Sequence, residues 1–302
     1  MISIVKRHLS INYIPTLIGF VSLAFFMGLR FFYLEADSIS GLYSIYWMDE
    51  EMYTRNARNK VLFGQYILDG ASNWSPRFMT PFFHYMAEIL FEIFGVSTYI
   101  IRLSSAILGS MLLILFLKFF SMINIKKTLP FFLCLLLIST DYILFFYSRI
   151  GLTEMMLLCF LSLSCIFYLR NSNWGHFISG IFMSLAFIGK LSTIGAVASI
   201  FLTVTIFTVL NFKKDKRKFF YFLVGASVPL ILWIIFFILP NYQLWYQFNL
   251  AEQALQRTSS SIKSNIAKLL TYNSRIYFTS IQHNIFYYLL IYISTLLTSI
   301  RI

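Results

Sequence analysis

The stretch Trp47–Gly64, with the sequence WMDEEMYTRNARNKVLFG, is a short polar island between long apolar runs. Three consecutive carboxylates, Asp49, Glu50 and Glu51, come near its start, and basic residues follow at helical spacing. Charged side chains are costly inside a membrane unless they are paired or reach water. The side of the membrane on which this stretch lies therefore decides how the apolar runs around it can fold.

The same stretch carries signals for a helix. Glu51 precedes Arg55 by four residues, which is the favourable order for an ion pair along a helix. Asp49 is suited to cap the first turn, and Gly64 is suited to end the helix in the left-handed conformation. We therefore predict a helix over residues 50–63 that lies along a membrane surface. The alternative is that Asp49 is only an N-cap and that the charges form only a solvated face.

The composition is that of a membrane protein. Of 302 residues, 59% are hydrophobic and 12% are charged, whereas soluble domains carry about 25% charged residues. The three cysteines lie inside apolar runs without CxxC spacing, so neither a disulfide framework nor a zinc site is predicted. The net charge of +12 does not require a nucleic-acid partner, because the basic residues gather at the ends of apolar segments, where they signal topology.

We predict a single all-α domain over residues 1–302, a polytopic membrane protein with about eight transmembrane helices. Interfacial helices are expected in the first outer loop, residues 34–98. The predicted spans follow from the lengths of the apolar segments, one of which is short. They are residues 13–33, 99–122, 129–147, 152–169, 174–189, 191–212, 219–239 and 277–300.

The distribution of charge predicts the orientation. Lys6 and Arg7 place the N-terminus in the cytoplasm, and alternating sides then place KKDKRK, residues 213–218, inside as well. Asp141 falls within a span, where it needs a partner such as Lys118 or Arg102, and Asp215 falls inside. The other ten acidic residues fall outside or at the outer edge: Glu35, Asp37, Asp49, Glu50, Glu51, Asp69, Glu88, Glu92, Glu154 and Glu252. We therefore predict a multi-pass protein of the plasma or inner membrane.

The segment 80–95 combines an apolar run with a polar stripe. His84, Glu88 and Glu92 repeat every four residues and would lie on one face of a helix. We predict an interfacial helix, because the segment is amphipathic and its uninterrupted apolar length is short. A spanning helix with the stripe turned inward is the alternative, and His84 is expected to be a satisfied histidine instead of a metal ligand.

With this topology, three separated features meet on the outer face. They are Asp49 with Glu50, Glu154 close after Arg149, and Lys190 at a tight turn. Charges near the ends of spans are less costly than charges at the centre but still indicate function. Snorkelling is the alternative explanation of Lys190, and a role as a cap or as a partner of Arg149 is the alternative for Glu154.

Four pieces of this sequence, in order, resemble the polyprenyl-phosphate-sugar glycosyltransferases of the GT-C class, which include protein O-mannosyltransferases and the lipid A aminoarabinose transferase. The pieces are WMDEEMY, PFFHYMAEILFEIFGVSTYIIRLSSAILG, YSRIGLTEMMLLCF and AFIGKLSTIG, within Trp47–Gly195. The family usually has Asp where this chain has Glu154. Its members are also commonly longer, so we expect a short relative or an incomplete gene product.

The resemblance implies transfer of a sugar from a polyprenyl-phosphate donor to a hydroxyl of a lipid, glycan or protein acceptor, outside the cytoplasm. It implies catalytic roles for Asp49 as the base, for Glu50, which we expect to orient a neighbour, and for Glu154. The donor phosphate would be held by Lys190, Arg55, Arg58 and Arg77. Neither a cofactor nor a metal is expected, although Asp49, Glu50 and Glu154 could supply oxygen ligands to a divalent ion.

Two other classes of function stay open. A lipid or solute transporter or flippase would carry its key charges near the middle of the membrane, often with inverted repeats, and no repeat is found in this sequence. A non-catalytic truncated relative is the other alternative.

Overall fold

The structure is a computed structural model that describes residues 19–35, 44–66, 77, 80–122, 136–170, 172–190 and 212–246. Within these ranges the side chains of residues 44–49, 142–143 and 212–215 are outside the description. The described residues form helices joined by short turns, and they contain no strand. The prediction of an all-α fold is confirmed for this part of the chain.

The helices follow one another with short connections where the description is continuous. They are α1 (Gly19–Phe31), α2 (Ser44–Phe63), α3 (Pro81–Phe94), α4 (Thr98–Met122), α5 (Tyr142–Tyr147), α6 (Glu154–Leu169), α7 (Asn173–Gly189) and α8 (Phe212–Trp233). After α8 the chain continues through a π turn at Ile234–Ile238 and a 3-10 turn at Leu239–Asn241 into α9 (Tyr242–Tyr246).

Two helical stretches of the described part are long and apolar enough to cross a membrane, Thr98–Met122 and Lys216–Tyr246. The helices α6 and α7 match the predicted spans 152–169 and 174–189 in position. Residues 191–211 and 277–300, where two more spans are predicted, lie outside the described residues. The count of about eight spans stays a prediction.

The predicted span 129–147 is not one continuous helix. Residues 136–140 are helical, but the helix breaks at Asp141 and a new one, α5, begins at Tyr142. The Asp141 carboxylate accepts a hydrogen bond from the backbone N–H of Leu144 at 2.8 Å. Asp141 is therefore the N-cap of α5, because a carboxylate can satisfy a backbone donor that a helix start leaves open.

The boundaries of α2 correct one prediction and confirm another. The helix begins at Ser44, so Asp49 lies within it and is not its N-cap. Residues 44–48, SIYWM, contain neither Gly nor Pro, so nothing in them stops the helix before the carboxylates. At the other end Gly64 has a φ of +76° and donates its N–H to the carbonyl of Lys60 at 2.9 Å, the predicted left-handed C-cap.

The helix α3 has 14 residues, which corresponds to a length of about 21 Å. A bilayer core is about 30 Å thick, so α3 is too short to cross it. His84 and Glu88 of the predicted polar stripe are buried, whereas Glu92 is exposed. The first two residues of the stripe therefore face the interior of the protein, and the third lies at its surface.

The central helices lie side by side in definite directions. Residues near the start of α4 pack beside residues 150–152, and further along Cys159 of α6 contacts the carbonyl of Leu108, so α4 and α6 run parallel. Ser164 and Ser179 share hydrogen bonds of 2.7 to 3.1 Å between α6 and α7, which run antiparallel. As a result the starts of α4 and α6 and the end of α7 lie at the same end of the protein.

One apolar core sits beneath this end and joins α2, α3, α4 and the residues just before and within α6. Because it contains members of every one of these elements, it sets their relative positions. Its buried members are Tyr53, Ala57, Phe83, Ala87, Phe91, Ile101, Ile150, Leu152 and Met156.

The helices α7 and α8 cross at two glycines. A Cβ added at Gly180 would overlap the carbonyl oxygen of Phe222, and one added at Gly225 would overlap the carbonyl oxygen of Phe177. Ser184 also donates a hydrogen bond of 2.6 Å to the carbonyl of Ala226. Only residues without a side chain allow the two backbones to come this close.

Replacing one of these glycines tests the crossing. We expect Gly225→Val to lower the free energy of unfolding by about 1–3 kcal/mol, the usual cost of overpacking. Gly28→Ala is the matched control, because nothing lies within 4 Å of a Cβ at Gly28 and Ala is the better helix former. Thermal unfolding of the purified variants in detergent measures both, and a Gly225→Val protein as stable as wild type would contradict the close crossing.

Candidate functional site

A buried ion pair between α2 and α4 lies at the end of the protein where α4 and α6 begin. The Arg102 guanidinium donates from Nε to Oε1 of Glu50 at 3.0 Å and from Nη2 to Oε2 at 2.8 Å. The backbone N–H of Gly151 also donates to Oε1 of Glu50, at 2.8 Å. Glu50 is 4% exposed and Arg102 1%. Both oxygens of Glu50 are thus occupied, which favours a positioning role for this carboxylate over a role as a base.

Gly151 is needed for this arrangement. A Cβ at this position would overlap the side chain of Ile101 and approach Oε1 of Glu50 to 2.7 Å. A larger residue would therefore push the backbone N–H away from the carboxylate. The sequence signal for this contact is only the short segment RIG at 149–151, in which a glycine comes two residues after an arginine.

Two arginines fasten the chain after α1 to the same end. Arg149 donates to the carbonyls of Leu29 and Phe32, each at 2.8 Å, and Arg102 donates from Nη1 to the carbonyl of Leu34 at 2.8 Å. Leu29 lies in the last turn of α1, and Phe32 and Leu34 follow that helix. Carbonyls at the C-terminal end of a helix carry a partial negative charge, so a guanidinium stabilises them. Sequence reasoning named Arg149 only as a neighbour of Glu154 and missed this role, because a backbone carbonyl leaves no mark in a sequence.

The structure brings Glu154, Lys190 and Tyr53 together, and we call these three residues the Lys190 cluster. Glu154 is the first residue of α6, and Lys190 follows the last residue of α7. Nζ of Lys190 lies 2.5 Å from Oε1 of Glu154 and 5.1 Å from the ring centroid of Tyr53 on α2. The side chains of Lys190 and Glu154 are 19% and 30% exposed, so this pair reaches solvent whereas Glu50 does not.

The charge of Lys190 is stabilised by its neighbours. Burial by itself lowers the pKa of Lys190, but the Glu154 carboxylate and the Tyr53 side chain outweigh burial and raise this pKa above its ordinary value. Lys190 is therefore an ammonium ion at neutral pH, held at a partly open position. Such a group can bind an anion.

Asp49, the predicted base, is placed only by its backbone, because its side chain lies outside the description. It precedes Tyr53 by four residues within α2, which is about one helical turn. Residues at this spacing lie on the same face of a helix. The backbone position of Asp49 is thus one turn from the residue that contacts Lys190.

The three arginines that were predicted to help bind phosphate are not members of the Lys190 cluster. Nη1 of Arg58 lies 3.3 Å from Oε1 of Glu51, an exposed pair two turns apart on α2. Arg77 lies over the ring of Tyr66 at 4.3 Å. Arg55 is half-buried on α2 two residues after Tyr53, which is about 200° around the helix. These contacts of Arg58 and Arg77 are thus with residues other than Lys190, and Arg55 is on a different face of α2 from Tyr53.

A second polar cluster lies between α3 and the chain after α2. The Tyr66 hydroxyl donates to Oε1 of Glu88 at 3.0 Å, and Nε2 of His84 lies 3.4 Å from Oε2 of Glu88. Burial, with a contribution from Arg77, lowers the pKa of His84 to about 3, so this histidine is neutral. Among the residues that the structure describes, no group of three or more His, Cys, Asp or Glu side chains is placed to hold a metal ion.

Comparisons with models of protein families, with curated proteins and with solved structures found no match to this chain. The resemblance to the GT-C glycosyltransferases therefore stays a prediction from the four sequence pieces. One end of the protein holds Glu50, Arg102, Glu154 and Lys190, and we call it the charged end.

Removing one charge of the buried pair tests its structural role. We expect Glu50→Gln to lower the free energy of unfolding by about 3–5 kcal/mol, because it leaves Arg102 buried without its counter-ion. Glu51→Gln is the matched control, since the Glu51–Arg58 pair is exposed and pairs of this kind contribute about 1 kcal/mol or less. Unfolding monitored by tryptophan fluorescence in detergent measures both variants. Equal stability of Glu50→Gln and Glu51→Gln would contradict the structural role of Glu50.

Proposed function

We propose that this chain is a membrane glycosyltransferase that moves a sugar from a polyprenyl-phosphate donor to an acceptor hydroxyl on the extracytoplasmic side. The observation that carries the proposal is the Lys190 cluster. It combines a partly exposed ammonium group, a carboxylate and an aromatic ring one turn along α2 from Asp49. The resemblance of the four sequence pieces supports the same reaction.

The residue types suit the chemistry of a phosphate leaving group. A glycosidase needs a carboxylic acid to protonate the oxygen of a poor leaving group. A phosphate monoester has a second pKa near 6 and can depart without a proton if a cation balances its charge. The protein then needs one general base for the acceptor hydroxyl and at least one cation for the phosphate.

We assign Asp49 as the base that takes the proton of the acceptor hydroxyl. The oxygen of that hydroxyl meanwhile bonds to the anomeric carbon of the donor sugar, and the bond between this carbon and the phosphate oxygen breaks. Lys190 binds the donor phosphate, and Glu154 holds Lys190 in place. Glu50 orients α2 through Arg102 and Gly151. Arg55, Arg58 and Arg77 are assigned only to the wider basic surroundings that attract an anionic donor.

The location of the site follows from the predicted topology. In that topology the charged end faces outward, and the donor lipid reaches it from the bilayer. The partners are a polyprenyl-phosphate sugar and a lipid, glycan or protein acceptor. No cofactor is assigned, and a divalent ion is not part of the proposed reaction.

One observation favours this function over transport. A transporter is expected to bind its substrate near the middle of the membrane, between broken helices. Glu154 and Lys190 instead lie at helix ends, and Arg102 lies in the second turn of α4, where it binds Glu50. A site at the end of the helices suits a reaction between a membrane lipid and an acceptor at the surface.

The outward orientation of the charged end can be tested with two exposed positions. We expect a cysteine in place of Glu92 to react with an impermeant thiol reagent on intact cells and a cysteine in place of Lys216 not to react, because the topology puts them on opposite sides. Both side chains are exposed in the structure, so the membrane decides their access. The background carries alanine at Cys134, Cys159 and Cys165, and labelling at Lys216 alone would overturn the orientation.

The reaction itself is tested at Asp49. We expect Asp49→Asn to reduce turnover by roughly 10²–10⁴-fold, the usual contribution of positioned acid–base catalysis, since Asn keeps the size of Asp but cannot take a proton. The assay measures sugar transfer from polyprenyl-phosphate sugars by purified protein at matched folded amounts, with Glu51→Gln as the control on the same helix. Near-wild-type turnover of Asp49→Asn would remove Asp49 from the mechanism. A wild-type protein that consumes none of the polyprenyl-phosphate sugars would contradict the proposed function.

A further inference from the structure

Tyr53 connects the site to the rigid part of the protein. Its side chain is 8% exposed and belongs to the apolar core that joins α2, α3, α4 and the start of α6. Ala57, one turn further along α2, is fully buried in the same core. The aromatic ring of Tyr53 therefore has little freedom to move relative to these helices.

Lys190 needs such a fixed neighbour. It lies just beyond the last residue of α7 and has a long side chain with a large conformational entropy. Glu154 holds its ammonium group from one element, α6, and the Tyr53 ring at 5.1 Å adds a contact from a second element, α2. Two contacts from different directions restrict a flexible side chain more than one contact does.

The same helix also carries the predicted base. Glu50 pins α2 to Arg102 and to Gly151, and Tyr53 follows Glu50 by three residues, less than one turn. A single rigid helix thus links the buried ion pair to Lys190. The distance between the base position on α2 and the phosphate-binding amine would then be set by Tyr53.

We propose that Tyr53 is a positioning residue that, together with Glu154, holds the ammonium group of Lys190 where the donor phosphate binds. This inference rests on the proposed function for the identity of the anion. The contact between Tyr53 and Lys190 itself does not depend on that identity. Both the aromatic ring and the hydroxyl of Tyr53 take part, since each favours the charged form of Lys190.

The test compares Tyr53→Phe and Tyr53→Leu with wild type. Tyr53→Phe keeps the ring and loses the hydroxyl, and Tyr53→Leu loses both. The matched control is Tyr99→Leu, because Tyr99 is an exposed tyrosine at the start of α4. Thermal unfolding confirms that each variant is folded, and Tyr53→Phe keeps the test valid if Tyr53→Leu does not fold.

The first readout is the pH dependence with which acetic anhydride acylates Lys190, measured by peptide mass spectrometry relative to exposed Lys216. Only the uncharged amine reacts, so losing contacts that raise the pKa of Lys190 shifts the reaction to lower pH. We expect Tyr53→Leu to shift the curve most and Tyr53→Phe to lie between Tyr53→Leu and wild type. Tyr99→Leu should match wild type. A merely structural role of Tyr53 would not produce this order.

The second readout is the affinity for undecaprenyl phosphate in mixed micelles. We expect Tyr53→Leu to bind it about two- to tenfold more weakly, which corresponds to a partly buried cation–π contact, and Lys190→Ala to bind it more weakly still. Unchanged acylation and binding in both Tyr53 variants would overturn the positioning role.

The two proposals fail in different ways. The acylation curve needs no donor, so it reports on Tyr53 and Lys190 alone. A shifted curve together with weaker phosphate binding supports the positioning role, even if wild type transfers no sugar. A wild-type protein that transfers no sugar would contradict only the glycosyltransferase reaction.

Discussion

The buried ion pair between Glu50 and Arg102 is the constraint on which the arrangement of the charged end depends. A buried charge without its partner is strongly unfavourable, so α2 and α4 must stay where the two side chains meet. Because Gly151 also donates to Glu50, and Arg102 also donates to the carbonyl of Leu34, the same pair holds the turn before α6 and the chain after α1. Four separate parts of the chain are thus joined at one carboxylate and one guanidinium.

The Lys190 cluster is built on this frame but differs from it in exposure. Glu50 and Arg102 are closed off from solvent and have their hydrogen bonds filled, so they suit a structural task. Glu154 and Lys190 are paired but partly open, so an incoming anion can reach the ammonium group. This difference in exposure suggests different roles for the three acidic residues that were predicted to be catalytic. Glu50 supports α2, Glu154 supports Lys190, and Asp49 is left as the candidate for proton transfer.

Sequence reasoning located α4, α6 and α7 well because each is an apolar run with polar residues at its ends. It failed at Asp141, where the apolar run continues but a carboxylate ends one helix and caps the next. It also placed the start of α2 too late, because the carboxylate at residue 49 resembles an N-cap while the preceding residues are equally able to be helical. Both errors have the same cause. An Asp can either lie within a helix or cap the start of one, and only the tertiary structure shows which of the two occurs.

The sequence by itself determined that the described chain is helical and that Glu154 and Lys190 lie at the ends of apolar runs, since apolar length and charge position are local properties of the chain. Only the tertiary structure decided which charges meet. The topology predicted from the sequence placed Glu50, Glu154 and Lys190 on one side, but it did not pair them. Glu50 and Arg102 are 52 residues apart and Glu154 and Lys190 are 36 apart, and no local pattern indicates which side chains bond to each other. The packing of α2, α4, α6 and α7 brings them within hydrogen-bond distance. The contacts of Arg102 and Arg149 with backbone carbonyls were hidden from the sequence for a further reason, because every residue has a carbonyl and only the fold leaves particular ones without a partner.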